Sequence, residues 1–266
     1  MSGARRLPPA LLVVLLSLVV SLASLTLVSS RGAFSDSTDN AANSYTAAAC
    51  FDICQVQDED GETSGIAASV TASYGAAPTQ DNLLVLVHHF WDFDEDIGNI
   101  TLPAGWTQAV TRTGTGSRLT IAYKVAGAAE GTDVTVSNNP SGHQTITIFE
   151  YSGIDTVSPL DRTASNQTTS TTSCSTGTTA TTSVAEELVI GAIGLEGASG
   201  GWANTWTNSF TQQSTVVSSG SGGAPAYSDS STADRIVSAT GTFETTESWT
   251  TTRRCLGTIA TFEAAP

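Results

Sequence analysis

The sequence predicts an all-β fold: a two-sheet, jelly-roll-like sandwich built from two similar halves and preceded by a hydrophobic N-terminal signal helix. Three observations carry this. Thr, Ser, Gly and Ala dominate the chain, and glutamate–lysine helical patterns are absent. From about Ile66 onward, short apolar or alternating runs are parted by turn residues. Several of these runs then recur in the same order about a hundred residues later.

Leu83-Leu84-Val85-Leu86-Val87 is continuously apolar, which predicts a strand covered on both faces. Leu119 to Tyr123 and Thr145 to Phe149 alternate, so each should be covered on one face. Pro103, Gly105, Gly114, Gly116, Asn138-Asn139-Pro140 and Gly153 punctuate between them. In the second half, Leu188-Val189-Ile190 echoes Leu83-Leu84-Val85, Phe210-Thr211-Gln212 echoes Trp106-Thr107-Gln108, and Tyr227 echoes Tyr123. Thr258 to Glu263 echoes Thr145 to Glu150. Each half ends in an apolar strand that needs a partner sheet, so the halves are expected to interleave in one sandwich. Two sandwiches in tandem are the alternative.

The first 32 residues read as an address. Arg5 and Arg6 precede an apolar stretch from Leu11 to Val28, the pattern of a signal peptide. Small residues allow cleavage after Ser30 or Gly32, and the stretch is also near the ~18 residues at which a membrane anchor becomes feasible. The expected organisation is therefore 1–32 as signal peptide or uncleaved anchor, 33–65 as an extended segment, and 66–266 as the sandwich, with halves at about 66–155 and 168–263. In either case the body lies outside the cytoplasm, secreted or at the cell surface.

Loss of Arg5, Arg6 and Arg31 with the leader takes the net charge from −15 to −18. A field of that sign argues against nucleic acid or anionic membrane as a partner of the body. Membrane contact is expected only through the N-terminal segment, if it is uncleaved. Cys50, Cys54, Cys174 and Cys255 make an even count in an exported chain and are expected to form disulfides. A local Cys50–Cys54 bridge with a long Cys174–Cys255 staple is one of three pairings.

Ala33-Phe34-Ser35-Asp36 followed by Asn43-Ser44-Tyr45-Thr46-Ala47 resembles the start of the TasA and camelysin group of secreted proteins, with Ala48 where glycine is usual. The resemblance covers about residues 10 to 48. It implies cleavage by a dedicated signal peptidase just before Ala33 and a place at the cell surface or in extracellular fibres, some of which assemble by exchange of an N-terminal strand between copies. The body resembles a β-sandwich module of secreted bacterial and phage structural proteins. It does so through Asp81 to Val85, Leu102-Pro103-Ala104-Gly105-Trp106-Thr107, Ala122 to Ala126 and Glu150-Tyr151-Ser152-Gly153-Ile154-Asp155. This implies architecture and export rather than activity.

Candidate chemistry is sparse. Gly197-Ala198-Ser199-Gly200-Gly201 fits the serine-hydrolase elbow pattern, but no helical pattern follows it, so a Gly/Ser loop is the expected reading. His88 and His89 are adjacent and must point to opposite faces of a strand: one packed under the sheet, one at the strand end. His143 falls near a turn. Asp92, Asp94 and Asp96, followed by Gly98, place hard oxygens on one side of a loop and make a candidate calcium site; Ca2+ is the one cofactor the sequence suggests. Gln57 to Glu62 is a second acidic patch. Of the five tryptophans, Trp202 and Trp206 lie in a Gly/Asn-rich loop and are the candidate glycan platform, while Trp106 has a Phe counterpart and is expected in the core. Glu150 and Glu263 end matching strands, which suggests a shared structural role rather than a catalytic pair. No catalytic residue is assigned. The expected function is non-enzymatic: a structural or adhesive surface protein, in its sharper form a fibre subunit, whose partners are copies of itself or cell-surface glycans and proteins. A carbohydrate-binding module is the alternative, and a secreted glycan-active enzyme a more distant one.

Overall fold

The β3 strand sets the architecture. In the computed structural model, which describes residues 53–196, 203, 205–218 and 228–266, every side chain of β3 (Leu83–Trp91) is buried. The leader, Ala33 to Cys50, the Gly197–Gly201 motif, Trp202 and Tyr227 lie outside the described residues.

Twelve strands are described, and all pairing between them is antiparallel. The first sheet has seven strands: β1 (Cys54–Glu62), β2 (Ala67–Ser73), β3, β4 (Asn99–Thr101), β5 (Thr107–Gly114), β6 (Ser117–Val125) and β7 (Asp133–Ser152). The second has five: β8 (Leu160–Ser175), β9 (Glu186–Glu196), β10 (Thr211–Val217), β11 (Ser228–Ser238) and β12 (Thr246–Glu263). Their main paths run β1-β7-β3-β6-β5 and β10-β11-β9-β12-β8. Read from the other end, the second order matches the first strand for strand, so β8, β12, β9, β11 and β10 repeat β1, β7, β3, β6 and β5.

The register repeats too. Leu83 lies between Val125 and Tyr151, and Leu188 lies between Ile236 and Phe262. A bulge follows Gln108 in β5 and Gln212 in β10. The duplication is therefore structural, but two of its sequence anchors were misplaced. Tyr151 corresponds to Phe262, which makes Thr261, rather than Glu263, the counterpart of Glu150. A slip of two residues keeps every side chain on its face, so alternation alone cannot detect it. Thr107 pairs with Tyr123 and Thr211 with Asp234, so Asp234, not Tyr227, holds the Tyr123 position. The β10–β11 connection is longer than the Thr115-Gly116 turn, so equal spacing from Phe210 does not reach Asp234.

The halves do not interleave as a jelly roll would require. Each supplies one whole sheet, because its first and last strands pair with each other and satisfy their backbone groups locally. Tandem sandwiches are also excluded. Residues of both sheets share one core cluster, in which Leu83, Val85, Leu119, Ile121 and Phe149 meet Leu188, Ile190, Leu256, Ala260 and Phe262. Burying each of the larger of these side chains contributes about 1.5–3 kcal/mol.

The outer face of the first sheet is covered by β2, β4 and the first part of β7, with Val70, Tyr74, Val134 and Val136 packed on Leu84, Leu86, Ile146 and Ile148. That second cover explains why β3 is apolar throughout, and Trp106 packs against this cluster as expected. The outer face of the second sheet is covered by Trp206, Phe210, Phe243 and Trp249. Cys174–Cys255 is a disulfide joining β8 to β12; Cys54 is disulfide-bonded as well.

Towards one end the layer between the sheets turns polar. His89 Nδ1 meets Ser228 Oγ at 2.8 Å, Thr145 Oγ1 meets Ser230 Oγ at 2.8 Å, and Ser214 Oγ donates to Asp60 at 2.7 Å. His88 faces the opposite side, 2.9 Å from Gln144 Oε1. Both histidines are fully buried, so His89 is not the strand-end residue expected for one of the pair. It fits because Gly194 on the facing sheet has no Cβ, where one would sit 2.5 Å from the ring.

Candidate functional site

Where β3 leaves the first sheet, the chain turns through Asp92 to Gly98 before entering β4. Buried Arg118 ties down the end of this loop. Its guanidinium donates to Asn138 Oδ1 at 2.8 Å, to Ile97 O at 2.5 Å and to Gly98 O. The start of the loop is held by the Asp92 amide, which donates to Gly116 O at 2.8 Å. Gly116 has φ 69°, and a Cβ there would stand 2.5 Å from Asp92 O, so the β5–β6 turn requires glycine at this position.

The loop and turn meet the end of β9 and the middle of β12 from the second sheet. Together they enclose an open pocket of about 570 Å3, lined by Trp91, Asp92, Phe93, Asp94, Glu95, Thr115, Glu196 and Arg254. Trp91 is buried, and Phe93, 75% exposed, stands edge-on to it with ring centroids 6.1 Å apart. Glu196 Oε2 accepts from Trp91 Nε1 at 3.4 Å and from Arg254 Nη1 at 3.3 Å. Burial raises the Glu196 carboxyl above its usual range, against the pull of Arg254 and the Trp91 hydrogen bond. An exposed ring beside carboxylates and one guanidinium offers a stacking surface ringed by hydrogen-bonding groups.

Of the candidate calcium ligands, Asp92 and Asp94 line this pocket. Asp92 Oδ1 accepts from the Asp94 amide at 3.4 Å, and Asp96 Oδ1 from the Gly98 amide at 2.9 Å, so both carboxylates act within the turn. Among the described residues, no group of three or more His, Cys, Asp or Glu side chains is arranged to hold a metal ion. Trp206 is half-buried and packs on the outer clusters of the second sheet; its proposed companion Trp202 lies outside the described residues.

The other candidates serve the scaffold. Glu150 is fully buried and accepts from Asn82 Nδ2 at 2.5 Å, the Thr79 amide at 2.8 Å and Gln57 Nε2 at 2.5 Å. Glu263 accepts from Ser183 Oγ at 2.9 Å at the far end of the second sheet. His143 is buried beside Trp91 with ring centroids 5.9 Å apart, and burial lowers its pKa despite Asp92 nearby. Sequence reasoning had Asp92 and Asp94 among its candidates but did not single out Trp91, Phe93, Glu196 or Arg254. Their meeting depends on how the sheets stack, and the exposed aromatic within an acidic run was the one local signal. Among the described residues, no helix is long and apolar enough to cross a membrane. No family model, curated protein or solved structure matches the chain.

Proposed function

We propose that the chain is a secreted or cell-surface, non-enzymatic β-sandwich protein with a structural or adhesive role, in its sharper form a subunit of an extracellular filament. The observation that carries this reading is how its reactive groups are used. All three histidines are buried within the scaffold, and the cysteines described are closed in disulfides. Such a protein invests its chemistry in a durable body and meets partners through its surface. The charged leader and apolar stretch at the N-terminus support export. Intact mass and electron microscopy of protein recovered from its host test the reading. The expected result is a chain shortened by its leader, with all thiols oxidised, in filaments or on the cell surface. Full-length, reduced protein inside the cell would overturn it.

The pocket around Phe93 favours a second reading, carbohydrate binding at the surface. Its test is a glycan array with the native protein and Phe93→Ala. Expected is binding of one glycan class that drops about tenfold or more in the variant, in keeping with the loss of a stacking contact. Equal binding by both proteins would remove this reading.

A further inference from the structure

The two halves place a cation at the same point and surround it differently. Leu84 pairs with Lys124 in the first sheet and Val189 with Arg235 in the second, so Lys124 and Arg235 hold equivalent places on the outer faces. Each lies against a tight turn. In the turn 103–106 the Trp106 amide donates to Pro103 O at 3.2 Å, and in the turn 207–210 the Phe210 amide donates to Thr207 O at 3.3 Å. The Lys124 stem passes over Gly105, where a Cβ would stand 3.3 Å from Cε, and Arg235 Nη1 donates to Asn208 O at 2.9 Å.

What closes the two places differs. The β6–β7 connection brings Glu130, whose carboxylate accepts from Lys124 Nζ at 2.7 Å. The β11–β12 connection brings Phe243 instead, and the Arg235 guanidinium lies 5.9 Å from its ring centroid. Glu244 comes with it, but its carboxylate accepts from Thr178 Oγ1, and Arg235 forms no ion pair among the described residues. An open pocket of about 530 Å3 is left where the first half has an ion pair.

The walls of this pocket are held in place from within the fold. Asn208 and Ser209 stand at φ 57° and 61°, in the left-handed region that serine rarely adopts. Asn208 Nδ2 donates to Glu244 O at 2.8 Å, Thr207 O accepts from Thr245 Oγ1 at 3.0 Å, and Thr207 Oγ1 accepts from the Thr246 amide at 2.9 Å. On the other wall the Phe243 amide donates to Thr179 Oγ1 at 2.9 Å. Backbone strain persists where the surroundings over-determine it, and ligand sites are such places.

We infer that this pocket binds a carboxylate borne on a sugar, the acidic unit of a glycan, which takes beside Arg235 the part that Glu130 takes beside Lys124. A guanidinium is a planar fork of five N–H donors that fits a carboxylate, and only one interior acceptor, Asn208 O, engages it here. The exposed hydroxyls of Ser209 and Thr242 and the half-buried Phe243 ring suit the polar and apolar sides of a sugar ring. The net charge of −15 repels a dense polyanion, so isolated uronate units in a neutral glycan fit better than a run of them. Val189 and Glu196 lie seven residues apart on β9, so this pocket is about 23 Å along the strand from the one around Phe93. It goes beyond the readings above and stands whether or not the chain forms filaments.

The test is an NMR titration of the processed protein with methyl β-glucuronide, methyl β-glucoside and acetate, followed at the Asn208, Ser209 and Phe243 amides and the Arg235 Nε–H. Two variants accompany it, each checked for folding by circular dichroism. Arg235→Gln removes the cation, and Thr242→Glu, at an exposed position on the rim, supplies an internal carboxylate as the first half does. Expected are shifts at these groups with the glucuronide, binding at least about tenfold weaker for the glucoside and for acetate, and a loss of at least about tenfold in either folded variant. Phe93→Ala should bind the glucuronide as the native chain does, which separates this pocket from the other. Should Arg235→Gln fail to fold, Thr242→Glu decides alone. Absence of any response to the glucuronide, an equal response to the glucoside, or undiminished binding in a folded variant would overturn the site. Acetate binding as tightly as the glucuronide would assign the pocket to a bare carboxylate, such as a peptide C-terminus, and overturn the sugar.

Discussion

The Tyr151 hydroxyl donates a 2.9 Å hydrogen bond to Asp234 Oδ2 across the gap between the sheets. The positions equivalent to these two are Phe262 and Tyr123, and they also meet, edge to face, with ring centroids 5.6 Å apart. When residue i of one sheet touches residue j of the other, and their counterparts touch in turn, the halves are related as the subunits of a two-fold dimer. The body thus has the arrangement of a two-fold dimer of one sheet, in which one of the paired contacts is aromatic and the other polar.

That difference makes the polar contact testable. Tyr151 is fully buried, and burial together with Asp234 holds its hydroxyl protonated well above the ordinary tyrosine range, so the bond persists across the physiological pH range. Tyr151→Phe should lower unfolding free energy by about 1.5–3 kcal/mol, the usual effect of losing a hydrogen bond to a charged acceptor. Urea titration of the variant checks this. A midpoint unchanged within error would mean that solvent compensates Asp234 fully.

Gly194→Ala should be more damaging. The added methyl would stand 2.5 Å from His89 Cδ2 and 2.7 Å from Nε2, and the ring cannot swing away because Ser228 holds Nδ1 at 2.8 Å within the sheet-to-sheet layer. Overpacking of this kind costs about 1–3 kcal/mol or more. Thermal melting provides the readout, and an unshifted melting temperature would show the two sheets free to separate locally.

These contacts mark where the sequence stops being legible. β3 was readable because a strand covered on both faces must be apolar on both. The duplication was readable through Leu83 and Leu188, because the two positions share the same neighbours. The last strand was placed two residues out, since Glu150 and Glu263 present the same face pattern in either register. The role of His89 could not be read, because its partner Ser228 is 139 residues away on the other sheet. For the same reason Trp91 and Glu196, 105 residues apart, did not appear as one site. Local periodicity reports which face a side chain takes; it carries no information on what the opposite sheet brings to that face.

The Cys174–Cys255 bridge should matter most at the end of β8. The β12–β8 ladder is interrupted between Ser248 and Arg253, so the bridge clamps the segment from Thr169 to Ser175 across that gap. Closing a loop with a sequence separation of 81, it should contribute about 2–4 kcal/mol. A Cys174→Ala/Cys255→Ala variant tests both statements through denaturant unfolding and hydrogen exchange. Faster exchange is expected at Thr169 to Ser175 before the rest of the sheet. Uniform acceleration across both sheets would show instead that the bridge acts on the unfolded chain alone.

The pH dependence of stability has two opposed limbs. Burial lowers His88 to about 4 and His89 to about 3 from an ordinary 6.5, so the folded protein keeps both neutral while the unfolded chain protonates. Their contribution is complete above 6.5 and is lost as pH falls through 4 towards 3. Burial acts oppositely on two carboxyls, raising Glu187 to about 7 and Glu247 to about 8 from an ordinary 4.5. The folded state then holds protons that the unfolded chain releases, so their contribution is complete below 4.5 and is lost as pH rises through 7 and 8. Between 4.5 and 6.5 the two histidines and two carboxyls oppose each other, and stability should be nearly flat. Outside that window each group contributes a slope of up to about 1.4 kcal/mol per pH unit. Urea midpoints measured from pH 3 to pH 9 should trace this plateau, and Glu247→Gln should lessen the alkaline decline while leaving the acid limb in place. A midpoint that climbs steadily to the alkaline end would mean that the two carboxyls are ionised in the folded protein, with counter-charges that the buried setting of Glu187 and Glu247 does not supply.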